Sequence, residues 1–187
     1  MKQRQYNLDK TAYDLEKENK RFIWKFFTYL YFLLFSLHNF KEIYIMCGII
    51  GFTGNLQAPG ILVDGLQQLE YRGYDSAGIA VNNGSETKIV KTTGKVATLR
   101  EKVEATADLA GTCGIGHTRW ATHGGVTEVN AHPHVSGNVT LIHNGIIENY
   151  KELAASLKTK GFTAISETDT EVAAMLIDSL YDGDPFA

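Results

Sequence analysis

Beyond residue 46 the chain alternates between short apolar runs and turn-forming clusters, the pattern of strands punctuated by glycine. The runs CGIIGFTG (47–54), AGIAVNN (77–83), TKIVKTTG (87–94), GIGHTRWAT (114–122) and VTLIHNG (139–145) are fairly apolar on both faces, which predicts strands covered on both sides. A helical period interrupts them. In PGILVDGLQQLEY, Pro59 suits a first turn, and Leu62, Leu66 and Leu69 share one face. IENYKELAASLKTKG (147–161) aligns Ile147, Tyr150, Leu153 and Leu157 and stops at Gly161, and TDTEVAAMLIDSLYDG (168–183) opens on a capping box from Thr168 to Glu171. Strands outnumber helices and follow one another through short turns, so helix-flanked antiparallel sheets are expected rather than a doubly wound parallel sheet.

The first 45 residues obey a different rule. They hold no Gly, Pro or Val, yet carry 12 of the 20 aromatic residues, and their 8 basic and 5 acidic side chains give +3 against −6 for the remainder. The uncharged run from Phe26 to Leu37 is well short of the roughly 20 residues that cross a bilayer. Acidic residues Asp9, Asp14, Glu16 and Glu18, and the lack of a small-residue cleavage site, argue against a secretory signal. The extension 1–45 is therefore expected to be sequence upstream of a true start at Met46 or a propeptide, with a membrane tether through 22–37 as the rival, and the folded domain to be 46–187.

Charge changes the picture little. With 18 basic and 21 acidic residues, nothing favours nucleic acid or an anionic membrane as partner. Two cysteines, Cys47 and Cys113, are too few for a disulfide framework, so a reduced, cytoplasmic protein is expected. Cys113 reads as a small buried residue of a core strand.

Polar clusters at the strand ends carry the candidate chemistry: YRGYDSAG (71–78), GHTRWATHG (116–124), NAHPH (130–134), HNGIIEN (143–149) and SETDTE (166–171). Together, and in this order, they resemble the glutaminase domain of the glutamine-dependent amidotransferases of the N-terminal-nucleophile type. Within that family they look like the branch that aminates fructose 6-phosphate; the purine-pathway branch is expected to differ around Tyr74 and Trp120. The likeness runs from Met46 to the last residues.

The resemblance implies a four-layer α/β/β/α sandwich, continuing past the last residue of this chain, with L-glutamine as substrate. It also implies fructose 6-phosphate as acceptor at a separate domain, a homo-oligomer in the complete enzyme, and neither cofactor nor metal. Cys47 matches the nucleophile, a residue whose own α-amine, with a reference pKa near 8, serves as base once Met46 is removed. Asn144 by its side chain and Gly145 by its backbone N–H match the oxyanion hole. Arg119 matches the clamp on the glutamine α-carboxylate, supported by Thr122 and His123, and Asp169 the acceptor for the α-ammonium. Trp120 resembles an ammonia gate, and Arg72 and Asp75 belong to a loop that orders the glutamine site.

Bland readings stand beside these. Arg119 alone would be a solvated strand-end charge, Asp169 a first-turn acid favourable to the helix dipole, Trp120 a core aromatic, and Cys47 a buried strand residue. Five of the six histidines lie beyond residue 100, and a three-histidine zinc site is conceivable from His117, His123, His132, His134 and His143, though no HExxH pattern occurs. Rival functions are a glutaminase serving another acceptor and, if the extension stays on Cys47, a glutamine-binding module without turnover.

Overall fold

A computed structural model describes residues 47–121 and 124–183, so the expectations for residues 1–45, and the positions of Thr122 and His123, lie outside the described residues. The first strand, β1 (Gly48–Thr53), runs into helix α1 (Ala58–Leu69), which closes with a 3-10 turn at Glu70–Arg72. Strands β2 (Ser76–Asn82) and β3 (Thr87–Thr93) form a hairpin, followed by α2 (Val96–Ala105) and β4 (Cys113–Arg119). The hairpin β5 (His134–Ser136) and β6 (Val139–Leu141) then precedes α3 (Tyr150–Thr159) and α4 (Asp169–Asp178).

The larger sheet has the order β1-β4-β2-β3, with every pair antiparallel. Side chains alternate across it, and the faces divide the labour. One face meets α1 and α2: Leu62, Val63 and Leu66 of α1, Ile79 and Val81 of β2 and Leu99 of α2 form a buried cluster, with Ile50 and Phe52 of β1 packed on it. Gly116 belongs to this face, where a Cβ would come within 3.0–3.2 Å of Ile50, Ile79 and Leu66 side-chain atoms. Its neighbours His117 and Arg119 therefore point to the opposite face, toward the β5-β6 sheet, and both are buried there. Helix α4 packs on that second sheet, and α3 packs on α4 through Leu157, Val172 and Met175, with Tyr150 and Leu153 beside them. The layers run helix, sheet, sheet, helix, as the motifs implied.

The expected strands and helices are present, and two elements come in addition. Helix α2 buries only Val96 and Leu99, a stripe too thin to stand out from its charged surroundings. Strand β5 has three residues between Pro133 and Gly137, too few for alternation to register. Two further details differ from expectation. Cys113 is exposed, because it opens β4 at the end of the sheet rather than in its middle. At α4, Thr168 accepts from Glu171 N–H as a cap, but the Glu171 carboxylate turns to the N–H groups of Ile165 and Ser166 instead of closing a box on Thr168. No helix among the described residues is long and apolar enough to cross a membrane.

A column of histidines joins the two sheets. The rings of His117 on β4 and His132 stack with centroids 4.2 Å apart, and His134 on β5 meets His132 edge-on at 4.7 Å. Each ring bonds through its Nε2: that of His117 lies 2.7 Å from Asn144 Oδ1, that of His132 2.9 Å from Thr170 Oγ1, and that of His134 3.0 Å from Thr168 Oγ1. A zinc ion would need ring nitrogens converging on one point, whereas these three Nε2 atoms go to three separate partners. Burial, the largest effect, holds all three rings neutral: His117 and His134 are lowered to about 4, His117 despite its bond to Asn144, and His132 is lowered further.

Two consequences can be measured. Folded rings that refuse protons mean that the unfolded chain binds more of them between pH 6.5, the ordinary histidine value, and about 4. Stability is therefore full above that window and falls as the pH drops through it, by about 2 kcal/mol per ring and on the order of 5 kcal/mol for the three from pH 7 to pH 5 in urea titrations; a midpoint unchanged over that range would contradict the neutral column. The second concerns Gly78, opposite His117, where a Cβ would sit 2.2 Å from the His132 carbonyl oxygen and 3.0 Å from that of Val90. Both obstacles are backbone, so Gly78→Ala is expected to cost about 1–3 kcal/mol in the same titration, and a neutral substitution would mean that the sheets are not in such close contact.

Candidate active site

Cys47 immediately precedes β1, and the register of β1 on β4 decides what it meets. Gly48 pairs with Thr118, so the chain before Gly48 runs beside Arg119 and Trp120. The Trp120 N–H donates to Cys47 Sγ at 3.2 Å. Gly48 is required for this approach: its N–H donates to Thr118 Oγ1 at 2.9 Å, and a Cβ would lie 2.7 Å from that oxygen and 2.8 Å from Leu69 Cβ. Cys47 is half-buried and in the free thiol form.

The oxyanion candidates come from the turn after β6. Asn144 Nδ2 donates to the Cys47 carbonyl oxygen at 3.0 Å, which brings the amide to the backbone of the candidate nucleophile from a position 97 residues away. An amide nitrogen carries two hydrogens, so this bond leaves one for a substrate oxygen. Gly145 has φ +154°, and a Cβ there would come within 2.8 Å of His143 Nε2, so glycine lets the backbone turn its N–H here.

The charged residues are drawn in through the backbone. Asp169 opens α4, and its Oδ2 accepts from Ile147 N–H at 2.8 Å, tying the helix start to the Asn144–Ile147 turn. Arg119 is buried, with Asp75 Oδ1 3.8 Å from Nη1, and Nη1 donates to the Gly125 carbonyl at 3.2 Å. It is thus no solvated surface charge.

Asp75 does more than the motif alone revealed. Its carboxylate accepts from Ala121 N–H and from Ser76 Oγ, the latter at 2.8 Å, while its own N–H donates to the Arg119 carbonyl at 2.7 Å. One aspartate fixes the path of residues 119–121, where Trp120 presents its backbone to Cys47. The Trp120 side chain is 39% exposed and does not fill the core. Arg72 ends the 3-10 turn beside this loop, half-buried and with partners of its own.

A second brace lies on the far side of the undescribed pair Thr122 and His123. Glu167 accepts from Gly125 N–H and from Asn130 Nδ2, both at 2.8 Å, and its own N–H donates to Asn130 Oδ1 at 2.9 Å. The Gly125 N–H, then Asn130, hold the Glu167 carboxyl below its ordinary value. Asn130 and Glu167 were visible in NAHPH and SETDTE, but nothing in either stretch says that they bond to each other across 37 residues.

The comparisons agree with this geometry. A family model for a glutamine amidotransferase domain matches residues 103–181. Over 141 residues the chain is 55% identical to a glutamine–fructose-6-phosphate aminotransferase (isomerizing) of Thermus thermophilus, and over 140 residues 51% identical to that of Clostridium acetobutylicum. Each match takes in 74% of this chain but only 23% of the relative, so the chain spans about a quarter of those proteins. Among solved structures, the glutamine phosphoribosylpyrophosphate amidotransferase of B. subtilis superposes with a TM-score of 0.59 at 30% identity, covering 73% of this chain and 30% of that one. An allosteric regulatory enzyme of purine biosynthesis gives 0.60 at 32%, with the same coverage. A cysteine at the head of the first strand, an asparagine amide against it and these relatives lead to one conclusion: the chain belongs to the glutamine amidotransferases of the N-terminal-nucleophile type.

Proposed function

We propose that residues 46–187 are the glutaminase part of a glutamine–fructose-6-phosphate aminotransferase of the isomerizing kind. The observation that carries the reading is that Cys47 receives both the Trp120 N–H, at its sulfur, and the Asn144 amide, at its carbonyl oxygen. Cys47 Sγ attacks the γ-carboxamide carbon of glutamine, with the cysteine's own α-amine taking the thiol proton and returning it to the leaving nitrogen. The tetrahedral oxygen is met by the free hydrogen of the Asn144 amide and by Gly145 N–H. Ammonia departs, water attacks the γ-glutamyl thioester, and glutamate is released with the thiol restored.

Recognition of the other end of glutamine divides between two charges. Arg119, Thr122 and His123 take the α-carboxylate and Asp169 the α-ammonium. The two anchors sit on different layers, Arg119 at the end of β4 and Asp169 at the start of α4, which suits a zwitterion bound between them. Trp120, exposed beside the nucleophile, suits a gate for ammonia, and Arg72 the ordering of the adjoining loop. The acceptor is fructose 6-phosphate, at a domain outside residues 47–183, in a cytoplasmic homo-oligomer. The base requires a free amine on Cys47, so the working form begins there once Met46 is removed, and residues 1–45 are no part of the catalytic domain.

Glutamate release from glutamine tests the reading. In the form that begins at Cys47, Cys47→Ala is expected to abolish hydrolysis, and Asn144→Ala to lower kcat about 10²–10³-fold while leaving the fold intact. Retention of activity by the Cys47 variant would overturn the assignment of the nucleophile.

A further inference from the structure

The Asn144 amide can serve an oxyanion only if it presents nitrogen, not oxygen, toward Cys47. An asparagine side chain is nearly symmetric in shape, and rotation by half a turn would put an acceptor where the donor is needed. Resting on the glutaminase reading above, we propose that His117 is the positioning residue that sets this orientation, by donating its Nε2 hydrogen to Asn144 Oδ1.

The geometry leaves one consistent arrangement. Asn144 Oδ1 lies 2.7 Å from His117 Nε2, and Asn144 Nδ2 lies 3.0 Å from the Cys47 carbonyl oxygen. That carbonyl is an acceptor only, so Nδ2 must face it, and Oδ1 must then receive a hydrogen from the imidazole. Reversing the amide would set two oxygens against each other at the cysteine.

The ring that donates is itself immobile. His117 is 1% exposed, and its face is stacked on His132, whose Nε2 is bonded to Thr170 of α4. The imidazole is a rigid peg between the helix that opens with Asp169 and the turn that carries Asn144. Its low proton affinity keeps it neutral at working pH, which leaves a single N–H and makes its placement on Nε2 decisive.

The test compares His117→Phe and His117→Gln, alone and combined with Asn144→Ala, in the active form of the protein. Phenylalanine keeps the stacked ring but donates nothing; glutamine offers an amide N–H in place of the imidazole's. On this account His117→Phe lowers kcat for glutamine hydrolysis about 10–100-fold, with KM and the rate of Cys47 alkylation by iodoacetamide within about threefold, and His117→Gln restores most of the loss. In the Asn144→Ala background His117→Phe has no further effect, because the group it positions is gone.

An undiminished kcat in a folded His117→Phe variant would overturn the proposal, as would an equal loss with and without Asn144. If the phenylalanine variant fails to fold, the glutamine variant decides: activity within about tenfold of the parent supports the role, and a larger loss contradicts it. Absence of glutamine hydrolysis in the unsubstituted protein would instead remove the glutaminase reading on which this rests.

Discussion

The antiparallel pairing of β1 with β4 is the constraint on which the site depends. It sets Gly48 against Thr118, and so delivers the residue before Gly48 to the end of β4, where Trp120 N–H meets the Cys47 sulfur. A slip of β1 by one residue would turn Ile50 and Phe52 away from the α1 core, so burial on the helical face enforces the register that chemistry needs on the other. Gly48 tightens the same pairing, since any side chain there would collide with Thr118 and Leu69. A core requirement thereby fixes the position of a thiol.

Stacked and hydrogen-bonded histidines join the second sheet to the first. Three buried histidines, each bonded through Nε2, run from β4 through His132 to the threonines that begin α4. The hydrogen bond at each Nε2 offsets part of the cost of burying these rings and specifies one arrangement where an apolar interface would tolerate several. The arrangement specified here reaches a candidate site residue on each end: Asn144 hangs from one side of the column and Asp169 leads the helix on the other. The proposed ammonium acceptor Asp169 lies between two residues that hold the fold, Thr168 and Thr170, which bond His134 and His132.

Much of this was legible from residue order. Glycine-bounded apolar runs marked every strand described except β5, and leucine spacing marked α1 and α3. The motifs around Cys47, Arg119, Asn144 and Asp169 pointed to the amidotransferase family before any geometry was known, and the relatives agree. The bracing was not legible, because hydrogen bonds between Asp75 and Ala121, or Asn130 and Glu167, join positions 46 and 37 residues apart and leave no local periodic trace. His117 shows the limit best: as one histidine among five it suggested a metal, and only its distance to Asn144 gives it a different task. Helix α2 and strand β5 were missed because one buries two residues and the other contains three.

What sets this chain apart from a bare glutaminase domain is the stretch before Cys47, since a cysteine inside a peptide bond has no α-amine to act as its base. The most direct test is to determine the N-terminal residue and intact mass of the molecules that hydrolyse glutamine, separating them from inactive ones by reaction of Cys47 with an electrophilic glutamine analogue. The account predicts that the active, labelled molecules begin at Cys47 and that molecules retaining Met1 neither label nor turn over. Equal turnover by chains that keep Met1 would contradict it, and would require another base for the thiol.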